Sequence, residues 1–362
     1  MCLYIGNKKS FVAKKDIVVY KYVRKQNSYY VTACRNFPIQ TNKVLTPSYS
    51  SEDIVETNYH KYTIFGGAIH ACTSSNDDEF RGYVCLKAYI KEGTEFWVQD
   101  DFKEVAARSL YITDEVVENK ETSDIKDIYV SILESVEEHK NGIKVGDFLL
   151  ADKTYASPLN EFDHSKAIAV VIGFNPEDDS PIHVTPEKMY LPFITRNNYH
   201  NSCHSDVKHD KIEDDFDGYK HTYDIANAED YNANLFKAID YCINYSTEGT
   251  NKGDWHLGAG GEIIMLAKNL AIVNASILLT NIGTPITTNS WSWTSSQYRE
   301  FSSLNVCSWV ISLHNCLTSY YWNYRGGEGL VCPLLVLNNK RKRSYIKLLF
   351  NKLLKLFKEN SN

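Results

Sequence analysis

From residue 301 to residue 324 the chain runs for twenty-four positions without a Lys, Arg, Asp or Glu, although such charges make up 23% of the whole. Ser302, Ser303, Asn305, Cys307, Ser308, Ser312, His314, Asn315, Ser319, Tyr320, Tyr321, Asn323 and Tyr324 fill it instead. A solvated loop normally carries charge, and a core strand normally carries branched aliphatics. A mixture of rigid aromatics and small adaptable polar groups is the make-up of a contact surface like that of an antibody. Affinity on such a surface concentrates in a few aromatic anchors, here Tyr320, Tyr321 and Tyr324 with His314 and Asn323 beside them.

The segment sits inside residues 254–337, which open DWHLGAGGEIIMLAKNLAIVNASILL, pass through NSWSWTSSQY and close GGEGLVCPLLVL. Asp254, Trp255, Leu257, Gly261 and Glu262, then residues 293–298 (WTSSQY), then Ser308-Trp309 and Gly326-Gly327 carry a resemblance. In that order they resemble the C-type-lectin-fold variable proteins of diversity-generating retroelements, many of which are phage receptor-binding proteins. Two motifs depart from the family pattern: Leu257-Gly258 stands where the family has Leu-Pro, and Cys332-Pro333 where it has Arg-Pro.

The resemblance implies an α+β C-type-lectin-like domain, two helices with antiparallel sheet, preceded by a small β-rich domain. It implies adenine-directed variation, which produces Ser, Tyr, His, Cys and Thr but never Lys, Glu, Gln, Met or Trp. Trp309 and Trp322 then belong to the scaffold, with Trp293. The thirteen residues named first become the ligand-binding set, converging on one exposed face. The partner would be a host cell-surface protein or glycan, and the protein would sit in a virion tail, made in the host cytoplasm, with a cytoplasmic protein as the alternative. A homo-oligomer, for instance a trimer, fits a phage fibre. The strand at 145–150 is expected beside the closing strand at 334–337.

Other chemistries are less favoured by the residues. Formylglycine-generating oxidoreductases share the broad fold and use a reactive cysteine pair, the alternative function for Cys307 and Cys316. A reactive thiol needs a setting that favours thiolate, and no cation lies within the segment. No enzyme and no cofactor are expected. Calcium needs several oxygen ligands, mostly carboxylates, and 301–324 has none. His200, Cys203, His204 and His209 lie in the polar stretch 196–222, but their spacing matches no standard zinc site, and a solvated inserted loop is expected. His70, Tyr83 and Glu95 are the one trio that a transferase could use, and His70 is expected to be an ordinary strand histidine.

The net charge of −6 is unevenly spread. Residues 340–362 carry eight Lys or Arg against Glu359, a local +7, which leaves −13 on the rest. An acidic body argues against general nucleic-acid binding. The basic tail has Ile346, Leu349, Phe350, Leu353, Leu356 and Phe357 at helical spacing, so 339–362 reads as an amphipathic helix. It could contact a membrane at 340–358, join an oligomer or dock on the acidic body. No stretch is apolar for long enough to span a bilayer. The first residues lack the basic-then-apolar pattern of a secretory signal. Nine irregularly spaced cysteines do not suggest a disulfide framework.

Four parts are expected. Residues 1–115 read as a β-rich module, with strands in DIVVYKYV, SYYVTAC, YTIFGGAIHAC and GYVCLKAYI. Residues 116–142 read as a linker helix with a narrow stripe of Ile125, Ile128, Ile132 and Val136, capped by Asn141-Gly142. Residues 143–338 form the lectin-like domain, with the variable segment at 289–325, a helix at 230–245, a second at 261–269 and a continuation at 274–279. Residues 339–362 are the tail helix.

Overall fold

The computed structural model describes residues 3–5, 10–32, 38–47, 54–56, 62–64, 68–75, 82–99, 101–118, 125–192, 205–229, 231–287, 290–299, 306–313, 318–322 and 328–337. The tail lies outside these residues. The fold is mixed α+β with mostly antiparallel sheets.

The amino-terminal part contains β1 (Leu3–Ile5), β2 (Phe11–Val12), β3 (Ile17–Gln26), β4 (Tyr29–Thr32), β5 (Pro38–Ile39), β6 (Lys43–Leu45), β7 (Ile54–Glu56), β8 (Tyr62–Ile64), β9 (Ile69–Cys72), β10 (Val84–Ile90), β11 (Glu95–Val98), β12 (Glu104–Ala107) and β13 (Leu110–Val116). Its main sheet runs β2-β11-β12-β9-β3-β10-β13-β6, with β4 on β3 and β5 on β4, and β1-β8-β7 form a second small sheet. Alternation along β3 explains its place: Ile17, Val19 and Val23 enter one core, and Tyr20 and Tyr22 pack on the opposite face with Cys72 and Cys85. The suggested trio does not form a cleft. His70 pairs with Ala106, and Glu95 lies two strands away, bound to Arg108 Nε at 3.0 Å.

The expected linker helix is shorter and is no free spacer. It forms α1 (Ile125–Glu134), and Asn141-Gly142 belongs to a separate turn in which Gly142 N donates to His139 O. Ile128, Ile132, Leu133 and Val136 join the amino-terminal core, and Ala271, Ile272 and Ala275 from the carboxy-terminal half enter the same cluster. The α1 stripe therefore packs within its own chain. Ser131 Oγ accepts from Lys14 N at 3.2 Å, and Lys15 pairs with Asp127 at 2.5 Å. Gly146 has φ +94°, and a Cβ there would meet Ser276 Oγ at 2.8 Å and Ile272 Cγ2 at 3.0 Å. Only glycine lets the chain enter the second half so close to both helices.

That half contains β14 (Phe148–Leu150), β15 (Tyr155–Ala156), β16 (Ala167–Phe174), β17 (Pro181–Val184), β18 (Met189–Pro192), α2 (Gly218–Ala226), α3 (Lys237–Asn244), β19 (Trp255–Leu257), α4 (Gly260–Lys268), α5 (Leu270–Thr280), β20 (Trp291–Arg299), β21 (Val306–Ser312), β22 (Thr318–Trp322), β23 (Glu328–Val331) and β24 (Pro333–Val336). One sheet has the order β15-β14-β16-β17-β24-β19 and the other β18-β23-β20-β21-β22. The expected adjacency of first and last strands does not hold. β14 and β24 share a sheet, but β16 and β17 lie between them, and β24 is flanked by β17 and β19. Both are apolar strands, so hydrophobicity alone does not distinguish their neighbours.

The helix expected at 230–245 begins later, at Lys237, after hydrogen-bonded turns through 231–236. Its apolar residues Ala238, Ile239 and Cys242 are buried. α4 and α5 meet at a 64° bend, and no single helix among the described residues is long and apolar enough to cross a membrane. Both pack against one face of each sheet, with Phe148, Val170, Ile182, Ile311 and Leu334 in the shared core. α2 and α3 cover the other face of the second sheet through Ile225, Phe236, Ile239, Val310 and Val331.

Candidate ligand-binding surface

The charge-free segment spans β21 and β22, where the second sheet ends. β21 is covered from both sides. Trp309, Ile311 and Leu313 join the core with α4 and α5, whereas Val310 joins the core with α2 and α3. β20 is bulged between Trp293 and Gln297, where the pairing with β21 shifts register.

Two tryptophans pin these strands. Trp293 Nε1 donates to Leu191 O at 3.0 Å, and its indole lies on Gly329, where a Cβ would come within 2.5 Å of Nε1. Trp309 Nε1 donates to Val207 O at 2.9 Å, and its ring contacts Tyr298 and His209, each at 5.7 Å between centroids. The expected scaffold role of both is thus visible in what they hold. Trp322 ends β22.

Two of the thirteen contact residues need correction. Ser308 is 0% exposed, and its Oγ donates to Thr294 O at 2.8 Å. Ser312 is 7% exposed. Neither can belong to an open face of this chain, because β21 is an interior strand with packing on both sides. Ser319 is half-buried on the terminal strand β22. Cys307, Tyr320 and Tyr321 are placed by their strands alone: Cys307 opposite Trp322, Tyr320 opposite Trp309, and Tyr321 opposite Ser308. Adjacent positions in a strand alternate between faces, so Tyr320 and Tyr321 occupy register positions on opposite faces rather than on a common one. Ser302, Ser303, Asn305, His314, Asn315, Asn323 and Tyr324 lie outside the described residues, as does Cys316.

The polar stretch expected to be a solvated loop is, from Ser205 to Asp217, a strap across these strands. Ser205 Oγ accepts from Gln297 N at 2.9 Å, and Val207 N donates to Gln297 O at 2.8 Å. Ile212 is buried in the core, and Asp215 O accepts from Gly261 N at 2.9 Å. At the surface, His209 Nε2 is 3.3 Å from Thr318 Oγ1, and Lys208 Nζ lies 5.1 Å from the Tyr298 ring centroid. His209 therefore adjoins β22 and Lys208 adjoins β20, relations that sequence separation concealed. The apolar Val207 and Ile212 within the polar run were the available signal. His200, Cys203 and His204 lie outside the described residues, and no metal-holding group of His, Cys, Asp or Glu occurs among those described.

Beneath the strap is a buried polar network. Glu262 Oε2 accepts from Ala259 N at 2.8 Å and from His256 Nε2 at 3.2 Å, closing the amino end of α4. The buried His256 Nδ1 has no hydrogen-bond partner. Ser296 Oγ accepts from Gly260 N at 2.9 Å and donates to Asp215. Burial raises the Asp215 pKa above the usual carboxylate value, against the opposing influence of nearby His221. Glu262 is a buried helix cap.

No protein-family model matches the chain, and no curated protein matches it. Among solved structures, a fimbrial protein from Bacteroides ovatus ATCC 8483 is similar over 89% of this chain and 71% of its own, with 10% identity and a TM-score of 0.40. A likeness at that level supports no statement about what this chain does.

Proposed function

We propose that the chain is a ligand-binding protein that displays the charge-free segment 301–324 at the end of its second sheet, on a C-type-lectin-like scaffold. The observation that carries this is the contrast within the segment. β21 is fixed by burial on both faces and by Trp309, whereas β22 beside it is the terminal strand and is composed of Thr, Ser, Tyr and Trp. A close-packed position resists changes of volume, so diversity is affordable only where neighbours do not enclose the side chain. Contact is therefore assigned to β22 and to the hairpin connections, not to Ser308 or Ser312.

The motif resemblance extends this to a variable protein of a diversity-generating retroelement, attached to a phage tail and directed at a host cell-surface protein or glycan. Trp255, Leu257, Glu262, Trp293 and Trp309, which carry the resemblance, are all buried. The basic 340–358 segment would then contact a membrane or an acidic surface.

Two measurements test the proposal. Sequencing the neighbouring DNA should find a reverse transcriptase and a template repeat that differs from this segment at adenines. A coding region without either would remove the retroelement origin. The combined substitution Tyr320→Ala, Tyr321→Ala and Tyr324→Ala should weaken attachment to host cells at least about tenfold, as expected when anchors are truncated, with little change in melting temperature. Unfolding with undiminished binding by the folded fraction would exclude these tyrosines as contacts.

A further inference from the structure

Sheet edges expose unpaired main-chain groups, and proteins guard them with short length, charge, proline or a covering element. The described edge strands of this chain follow that rule with one exception. β2 and β15 have two residues each, β5 contains Pro38, β6 carries Lys43, β7 ends in Glu56 and β18 ends in Pro192. β19 is wholly buried, and β1 has three residues. β22 has five residues, Thr-Ser-Tyr-Tyr-Trp, with no charge and no proline, and among the described residues it pairs only with β21. Of its four residue types, all but Ser favour strands.

We propose that β22 pairs antiparallel with β22 of a second copy of this chain, joining two five-stranded sheets edge to edge. A two-fold axis through such a strand is self-complementary, so this chain supplies everything the contact needs. Centred on Tyr320, the pairing sets Tyr320 opposite its own counterpart, Ser319 opposite Tyr321, and Thr318 opposite Trp322. The acidic body would repel another copy, but the whole 301–324 segment is charge-free and places no like charges across the axis. Edge pairing consumes main-chain groups and leaves the side chains on the sheet faces. It is therefore compatible with ligand binding, and it would place two contact surfaces side by side, where they gain avidity. The pairing does not depend on the binding proposal.

Sedimentation velocity of the full chain tests it. The wild type should sediment with twice the chain mass. S319K/Y321K and S319E/Y321E should each sediment as monomers, because the register brings like charges together, and an equimolar mixture should recover the double mass. Their circular dichroism should match the wild type. Should the charged variants misfold, Y320C provides a second measurement: mild oxidation by diamide should give a double-mass band on a non-reducing gel, absent from the wild type and from S319C. A wild type that stays monomeric at every concentration, a trimer, a dimer that persists in both charged variants, or equal cross-linking of Y320C and S319C would overturn the pairing.

Discussion

Ser308 donates its hydroxyl hydrogen to the carbonyl oxygen of Thr294 across the β20–β21 pair, at 2.8 Å, with neither residue exposed. A serine in the middle of the proposed variable stretch is thus part of the sheet's interior. Ser319, which lies opposite Val310 on β22, is half-buried.

The two serines should therefore respond oppositely to enlargement. Ser308→Tyr must force a ring into a filled interior and should cost about 1–3 kcal/mol or more. Ser319→Tyr should change stability by roughly 0.5 kcal/mol or less, as surface replacements do. Urea unfolding midpoints of the two variants decide the matter. Equal midpoints would place Ser308 on an open surface.

Glu262 should prove structural. Glu262→Ala removes the acceptor for Ala259 N and the partner of His256, inside a region without water access. A loss of about 1–3 kcal/mol is expected when buried donors are left without their acceptor. Attachment per folded molecule, measured below the lowered melting temperature, should be unchanged. A stable variant that no longer attaches would make Glu262 a ligand group instead.

His183 predicts an acid-side loss of stability. Its Nδ1 faces Leu335 O at 2.9 Å, and its Nε2 faces the Tyr155 hydroxyl at 3.0 Å. Burial pushes its pKa down from 6.5 to about 4. Above pH 6.5 both folded and unfolded states hold the ring neutral, and the group contributes no pH dependence. Between 6.5 and 4 the unfolded chain takes up the proton first, so stability falls as pH falls, by about 3 kcal/mol in all. His183→Gln should flatten the slope of unfolding free energy over that window. An unchanged slope would show that His183 titrates normally.

Asp147 predicts the opposite sign. Burial raises its pKa from 3.8 to about 6, while Lys144 N donates to its Oδ2 at 2.8 Å. The protonated form is the one the fold favours. Its contribution is complete below pH 3.8 and is lost as pH rises through 6, which leaves a penalty of about 3 kcal/mol at neutral pH. Asp147→Asn keeps an acceptor without the charge. It should raise the unfolding midpoint at pH 7.5 and make little difference at pH 3.5. No gain at pH 7.5 would mean that the carboxylate is solvated.

What the sequence determined by itself is local in origin. The β-branched runs of 17–23 and 167–174 became strands, because alternating or continuous apolar side chains bury well on a pleated surface. The two helices of 260–280 broke near Asn269, whose side chain bonds Met265 O and Ile172 O instead of continuing outward. The absence of charge in 301–324 required no coordinates. Tertiary structure alone decided the rest. Ser308 and Ser319 have the same side chain, and only the strands beside and above them make one interior and the other peripheral. β14 and β24 are both apolar, and their separation by β16 and β17 depends on long-range pairing that hydrophobicity does not encode. The stripe of α1 stated that it would be buried but not against what, and Gly146, pressed between two helices, supplied that answer through space. Val207 and Ile212 made a strap of an otherwise polar stretch, because two apolar anchors and main-chain hydrogen bonds to Gln297 suffice to fix a segment whose average composition is that of a loop.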